Sequence, residues 1–309
     1  MSNLNNLPPE LYRDIVKHLN PSELISLLKS TNNNNLNSEV LRILKNLNIT
    51  SFIKKDDLKS VKNYLYWLCD NNMKLLNDIF LKGIHYKAYN IITFLLTKTI
   101  GLNVNESLND KLIFQYFVDD HNIKLAKLLI NYPQFDPNKD NILSTSPGIF
   151  AVELLKHPFI NPNNDFNHDI PLIISILNND VIKFDALMKH SKIKINKKTF
   201  GNMTPLLLLM NTMYNTNTIY MLKTLLQHRH IKVSIKNVEG ENALHIAVRM
   251  NQPKQVIELL LDNPCIKINS KTYPLQLPNG RYIPGKTVLD YVNIYERNSI
   301  KKLITNYLY

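Results

Sequence analysis

The chain has 309 residues, 44% of them hydrophobic and 20% charged, which is the balance of a folded globular protein and not of a disordered one. Its two cysteines, Cys69 and Cys265, are too few and too far apart in sequence to form a disulfide framework. The longest apolar runs, IPLIISIL over 170–177 and PLLLLM over 205–210, fall well short of the roughly 20 residues that span a bilayer. The opening MSNLNNLPPE has neither the basic nor the apolar region of a secretory signal, so a cytoplasmic location is expected. The net charge of +12 raises the question of nucleic acid, but 31 of the 37 basic residues are Lys, scattered along the chain. Arg, the usual bidentate base reader, occurs only six times. Lys, Ile and the 43 Asn rise together when coding sequence is rich in A and T, which accounts for the charge, so nucleic acid is not an expected partner.

The first 45 residues open with LNNLPPELYRDIVKHLNPSELISLLKSTNN, in which Leu11, Ile15, Leu19, Leu24 and Leu27 recur at near-helical spacing. Pro21 and Ser22 restart a helix, with Ser22 as a candidate cap. These residues resemble the F-box. Its opening Leu-Pro-x-Glu-Leu is matched by Leu7, Pro8, Glu10 and Leu11, its next step by Ile15 and Leu19, and its later acidic-Leu pair by Glu23 and Leu24. The family's Val-Cys-Lys-x-Trp segment is replaced here by LKSTNN over 28–33. The resemblance implies docking on a Skp1-type linker through Leu7, Pro8, Leu11, Ile15, Leu19 and Leu24. A helical hairpin that caps the rest of the chain would also account for the pattern. Residues 46–73 read as a helical linker or cap, with Tyr64, Tyr66, Trp67 and Leu68 as its apolar filling.

Residues 74–309 repeat themselves. A phrase of two apolar residues, a polar step, an apolar residue and a closing Asn or Ser ends at Asn105, Asn138, Asn163, Asn196, Ser234 and Asn269. The intervals are 33, 25, 33, 38 and 35 residues. A second phrase lies between these: IPL at 170–172, TPL at 204–206, NAL at 242–244 and TVL at 287–289. Pro171 and Pro205 suit the first turn of a helix, and Thr204 and Thr287 suit its N-cap.

Both phrases resemble the ankyrin repeat, whose period is about 33 residues and whose first helix opens Thr-Pro-Leu-His-x-Ala. The best copy is GENALHIAV over 240–248. The resemblance covers residues 75–309 and implies an all-α solenoid of about six stacked helix pairs with finger loops, the early repeats degenerate. Only 7 Gly occur, so Asn or His is expected at left-handed positions, for example Asn202, Asn178 and His168. The 25-residue interval implies a repeat whose first helix is shortened to about 145–150. Asn279-Gly280, between alternating apolar residues at 270–285, signals a hairpin finger. That finger is either a surface insertion or part of a binding site. The Asn-rich divergence and the box-before-repeats layout are similar to ankyrin proteins of large DNA viruses.

No Gly-rich phosphate loop, His-Glu-x-x-His or Cys-x-x-Cys occurs, so neither an enzyme, a cofactor nor a metal site is expected. His157, His190 and His228 occupy equivalent repeat positions, and His245 matches the family's finger-bonding His. The resemblance implies protein contacts on the fingers at Phe166, Asp169, Phe200, Met203, Glu239 and Glu241, and on the first helices at Arg249, Met250 and Tyr295. Phe200, Met203 and Met250 are the leading candidates, with tucking against a neighbouring finger as the alternative. Together these features predict a protein-binding scaffold, in its sharpest form a substrate-recruiting adaptor of a Skp1-cullin ubiquitin ligase.

Overall fold

The computed structural model describes Leu19, residues 21–30, Val40 and residues 49–68, 72–277 and 281–308. Leu7, Pro8, Leu11 and Ile15 of the F-box-like opening lie outside the described residues. The chain divides into two compact units, residues 1–135 and 136–309, and nearly all regular structure in both is helical.

In the first unit, α1 (Pro21–Ser30) packs on α3 (Leu58–Leu68), with α2 (Thr50–Lys54) between them in sequence. Leu24 is fully buried here, and Leu19 is half-buried. The pair α4 (Met73–His85) and α5 (Tyr89–Lys98) follows. α4 shows why its sequence is helical: Leu76, Ile79, Phe80, Gly83 and Ile84 bury one face, and the Asn72 side chain accepts from the Lys74 and Leu75 amides. A finger with strands β1 (Ser107–Leu108) and β2 (Lys111–Leu112) leads into α6 (Ile113–Asp119) and α7 (Ile123–Ile130). Asn109 and Asp110 both take positive φ at its tip, the requirement of a tight two-residue hairpin turn.

The second unit stacks five pairs: α8 (Ile142–Thr145) with α9 (Gly148–Leu154), α10 (Pro171–Leu177) with α11 (Val181–Lys189), α12 (Pro205–Asn211) with α13 (Thr218–Gln227), and α14 (Ala243–Arg249) with α15 (Lys254–Leu261). Then come strands β3 (Leu275–Gln276) and β4 (Tyr282–Ile283) and the pair α16 (Val288–Ile294) with α17 (Asn298–Leu308). First helices pack on first helices and second on second, giving two layers. Pro171 and Pro205 open their helices as expected, and the Thr204 and Thr287 hydroxyls accept from the Leu207 and Asp290 amides. The first helix of the short repeat is α8, not 145–150, because Ser146-Pro147 break the chain between α8 and α9. The buried Lys183 ammonium donates to the Ser144 carbonyl (2.8 Å) at the end of α8, and burial lowers its pKa.

Six of the helix pairs turn through one residue of positive φ: Asp56, Lys87, His121, Asn179, Asn251 and Glu296. His168 and Asn202 adopt the left-handed conformation expected of them, but Asn178 does not (φ −86°); its neighbour Asn179 holds that place.

The closing residue of the first sequence phrase is a clamp between repeats. Asn163 Nδ2 donates to the Lys192 carbonyl (2.8 Å), and its Oδ1 accepts from the Lys194 amide (2.7 Å). Asn138 makes the same pair with Phe159 and Asn161, and Asn196 with His230 and Lys232. Asn105 donates to Gln134 and Ser234 to Cys265. The second helices end on an equally regular turn. Nδ1 of His157, His190 and His228 accepts from the amide two residues on, at 3.2–3.3 Å, and Asn263 Oδ1 does so in the next repeat.

Candidate functional site: a groove walled by a finger and a hairpin

Three loops of the second unit are joined edge to edge by main-chain hydrogen bonds. The Val238 amide donates to the Gly201 carbonyl and the Tyr273 amide to the Glu239 carbonyl, both at 2.9 Å. Gly240 makes this closure possible: its φ is +80°, and a Cβ there would lie 2.3 Å from the Tyr273 nitrogen. β3 and β4 pair antiparallel, Leu275 opposite Ile283 and Gln276 opposite Tyr282, which is the hairpin expected at 270–285. Its turn residues 278–280 lie outside the described residues.

Between these loops and the first helices lies an open groove of about 860 Å³. Its floor is a closed polar network around Glu241, which is only 1% exposed. The carboxylate accepts from Arg249 Nε (2.9 Å) and Nη2 (3.1 Å), Tyr291 Oη (2.9 Å) and Asn237 Nδ2 (2.9 Å), so its acceptor sites are filled. Burial pushes the Glu241 carboxyl up, but the Arg249 and Tyr291 hydrogen bonds outweigh it and hold the pKa below the ordinary value. Burial and the same carboxylate push the Tyr291 phenol up. Beside the network, His245 caps α14 with Asn242, and its Nε2 lies 3.2 Å from the Lys286 carbonyl, the finger contact expected of it.

The structure brings Met203, Glu239, Glu241 and Arg249 together as groove lining. Glu241 was expected at an exposed finger tip. It is instead an internal anchor, because the chain turns back at Gly240 and directs its carboxylate at Arg249. Arg249 is correspondingly committed to Glu241 and Asn211. Phe200 is 70% exposed, its ring packed at a tilt against His168 with 3.9 Å between centroids. Phe166 pairs with Asp169 in a one-bridge finger away from the groove lining. Met250 is half-buried, and exposed Tyr295 lies beside Tyr291. Sequence reasoning missed Val238, Tyr273, Leu275 and Ile283, all exposed apolar side chains in the lining. Only the alternating pattern around Asn279-Gly280 hinted at them.

Among the described residues no helix is long and apolar enough to cross a membrane, and no three His, Cys, Asp or Glu side chains are grouped to hold a metal ion.

Residues 239–270 match the family model of the ankyrin repeat. No curated protein matches the chain. Among solved structures it is similar to the ankyrin repeat protein EF0377 (19% identity, 73% of this chain and 96% of that one, TM-score 0.41). It is also similar to an ankyrin repeat domain from Acinetobacter baumannii AYE (14%, 74% and 96%, TM-score 0.44) and to the human ASB11 ankyrin repeat domain (17%, 70% and 90%, TM-score 0.46). The matched repeat, with the recurring helix pairs, fingers and clamps, gives the chain an all-α ankyrin-repeat fold.

Proposed function

We propose that this chain is a non-catalytic scaffold that binds another protein through the groove of its second unit. The observation that supports this is the exposed apolar wall: Val238, Tyr273, Leu275 and Ile283 are 39–59% exposed and stand together, the kind of patch that marks an interaction surface. The network beneath them is saturated and offers no free nucleophile or base. The finer reading makes the chain a substrate-recruiting adaptor in the cytoplasm, of an infected host if the source is viral. The F-box-like opening then docks a Skp1-type linker through Leu7, Pro8, Leu11 and Ile15, while the groove holds the protein to be ubiquitinated.

The test is affinity purification of the full chain from eukaryotic cells beside Leu11→Ala/Ile15→Ala, which leaves the buried Leu24 and Leu27 of α1 in place. Recovery of a Skp1-like protein and a cullin with the parent alone supports the adaptor. Equal recovery with both, or recovery with neither, refutes it and leaves a plain ankyrin interaction protein or inhibitor.

A further inference from the structure

We infer that the groove receives an extended, uncharged apolar segment of the partner polypeptide, with the Leu275–Ile283 face of the hairpin as its contact wall. The inference rests on the protein-binding reading above and specifies the chemistry of what binds.

The charge of the groove carries the argument. The chain as a whole is +12, yet the charged lining residues are two of each sign: Glu239, Glu241, Arg249 and Lys286. Glu241 and Arg249 are closed on each other, and every Arg249 nitrogen has a partner in Glu241, Asn211 or Met250. A charged side chain entering the groove would lose its hydration over a floor whose ion pair is already closed, and the two other lining charges, Glu239 and Lys286, are of opposite sign, so neither sign of charge is favoured overall. Apolar groups lose nothing there and gain the exposed aliphatic and aromatic wall. The same balance gives an acidic peptide or a phosphate backbone no net positive charge to bind.

The register of the hairpin says which face makes the contact. Side chains alternate across a strand, so the directly opposed Leu275 and Ile283 share one face, and Gln276 and Tyr282 share the other. Leu275 and Ile283 line the groove, whereas Gln276 and Tyr282 do not. Tyr282 is 66% exposed and adjacent in sequence to Ile283, which makes it a built-in control. The groove is open, bounded by the joined loops on one side and the first helices on the other, a shape that admits an extended chain.

The test uses the full chain and a phage-displayed library of random peptides. Selected peptides are synthesised with a fluorophore, and their affinities are measured by anisotropy. The inference predicts cores of consecutive uncharged apolar residues and affinity that changes little with salt. A carboxylate introduced by Leu275→Asp or Ile283→Asp should weaken binding by about tenfold or more, while Tyr282→Asp stays within about twofold. All three positions are exposed, and far-UV circular dichroism verifies that the variants fold. A charged consensus, equal damage from Tyr282→Asp, or no enriched peptide overturns the inference. If peptides fail while a folded protein partner still cross-links to the groove, protein binding stands and only the extended apolar occupant is lost.

Discussion

The asparagine clamp makes a quantitative prediction. Asn163 is 7% exposed and joins two repeats by two hydrogen bonds, to the Lys192 carbonyl and the Lys194 amide. Asn163→Ala removes both and leaves two main-chain groups without those partners. At roughly 1 kcal/mol net per hydrogen bond, with a further penalty for groups that water cannot reach, the loss is about 2–3 kcal/mol. That is roughly a 30-fold or larger shift toward the unfolded state. Asn163→Asp keeps the acceptor but turns the donor facing the Lys192 carbonyl (2.8 Å) into an oxygen, so it should lose about half as much or more. Urea unfolding followed by helical circular dichroism measures the midpoint, and amide exchange at Lys194 reports the local contact. A loss below about 0.5 kcal/mol for Asn163→Ala, or parent-like stability for Asn163→Asp, would refute the reasoning, since the hydrogen bonds would then contribute nothing net.

Other consequences follow from the same geometry. Burial lowers the pKa of His157, His190 and His228, with Asp136 opposing the shift at His157, Lys192 adding to it at His190, and His230 and Arg229 adding to it at His228. A lowered folded pKa means that the neutral ring is favoured on folding. The stability is therefore full above about pH 6.5 and is lost as the pH falls through the folded values. Because Asn263 already replaces the imidazole in one repeat, the triple variant H157N/H190N/H228N should stay stable at neutral pH and lose most of this acid dependence in melts between about pH 7 and 5. An unchanged pH profile would remove these three histidines as its cause and leave the buried His245, whose pKa burial also lowers. Gly240→Ala should destabilise by more than the roughly 1–2 kcal/mol of a left-handed non-Gly residue, because its Cβ meets main chain at Tyr273; parent-like thermal stability would contradict the finger-to-hairpin closure. Glu241→Ala strands the half-buried Arg249 and should cost about 3 kcal/mol, most of it restored by adding Arg249→Met; additive losses would show the pair to be uncoupled.

Much of the fold was legible because local physics sets it. Pro171, Pro205, Thr204 and Thr287 mark helix starts by their own chemistry, and the closing Asn residues recurred because each repeat needs the same clamp. Features that depend on contacts between repeats were harder to read. The left-handed turn fell on Asn179, one residue past the expected place, and Lys87 and Glu296 fill the same role with residues that rarely signal it. Spacing alone could not separate 145–150 from α8, since the break at Ser146-Pro147 divides two helices instead of opening one. Glu241 reads as a polar tip in sequence; its partners Arg249 and Tyr291 lie 8 and 50 residues away, and no local pattern reports them. The groove was illegible for the same reason, being assembled from a finger near 201, another near 239 and a hairpin at 272–286.

Site-specific photo-crosslinking tests the central claim most directly. A photoreactive residue is placed in the full chain at Ile283, in the groove wall, and separately at Ile149, which is 58% exposed at the start of α9 and outside the groove lining. The account predicts a discrete protein adduct from position 283 in eukaryotic cells and none from position 149. Adducts from 149 alone, the same adducts from both, or none from either would contradict it.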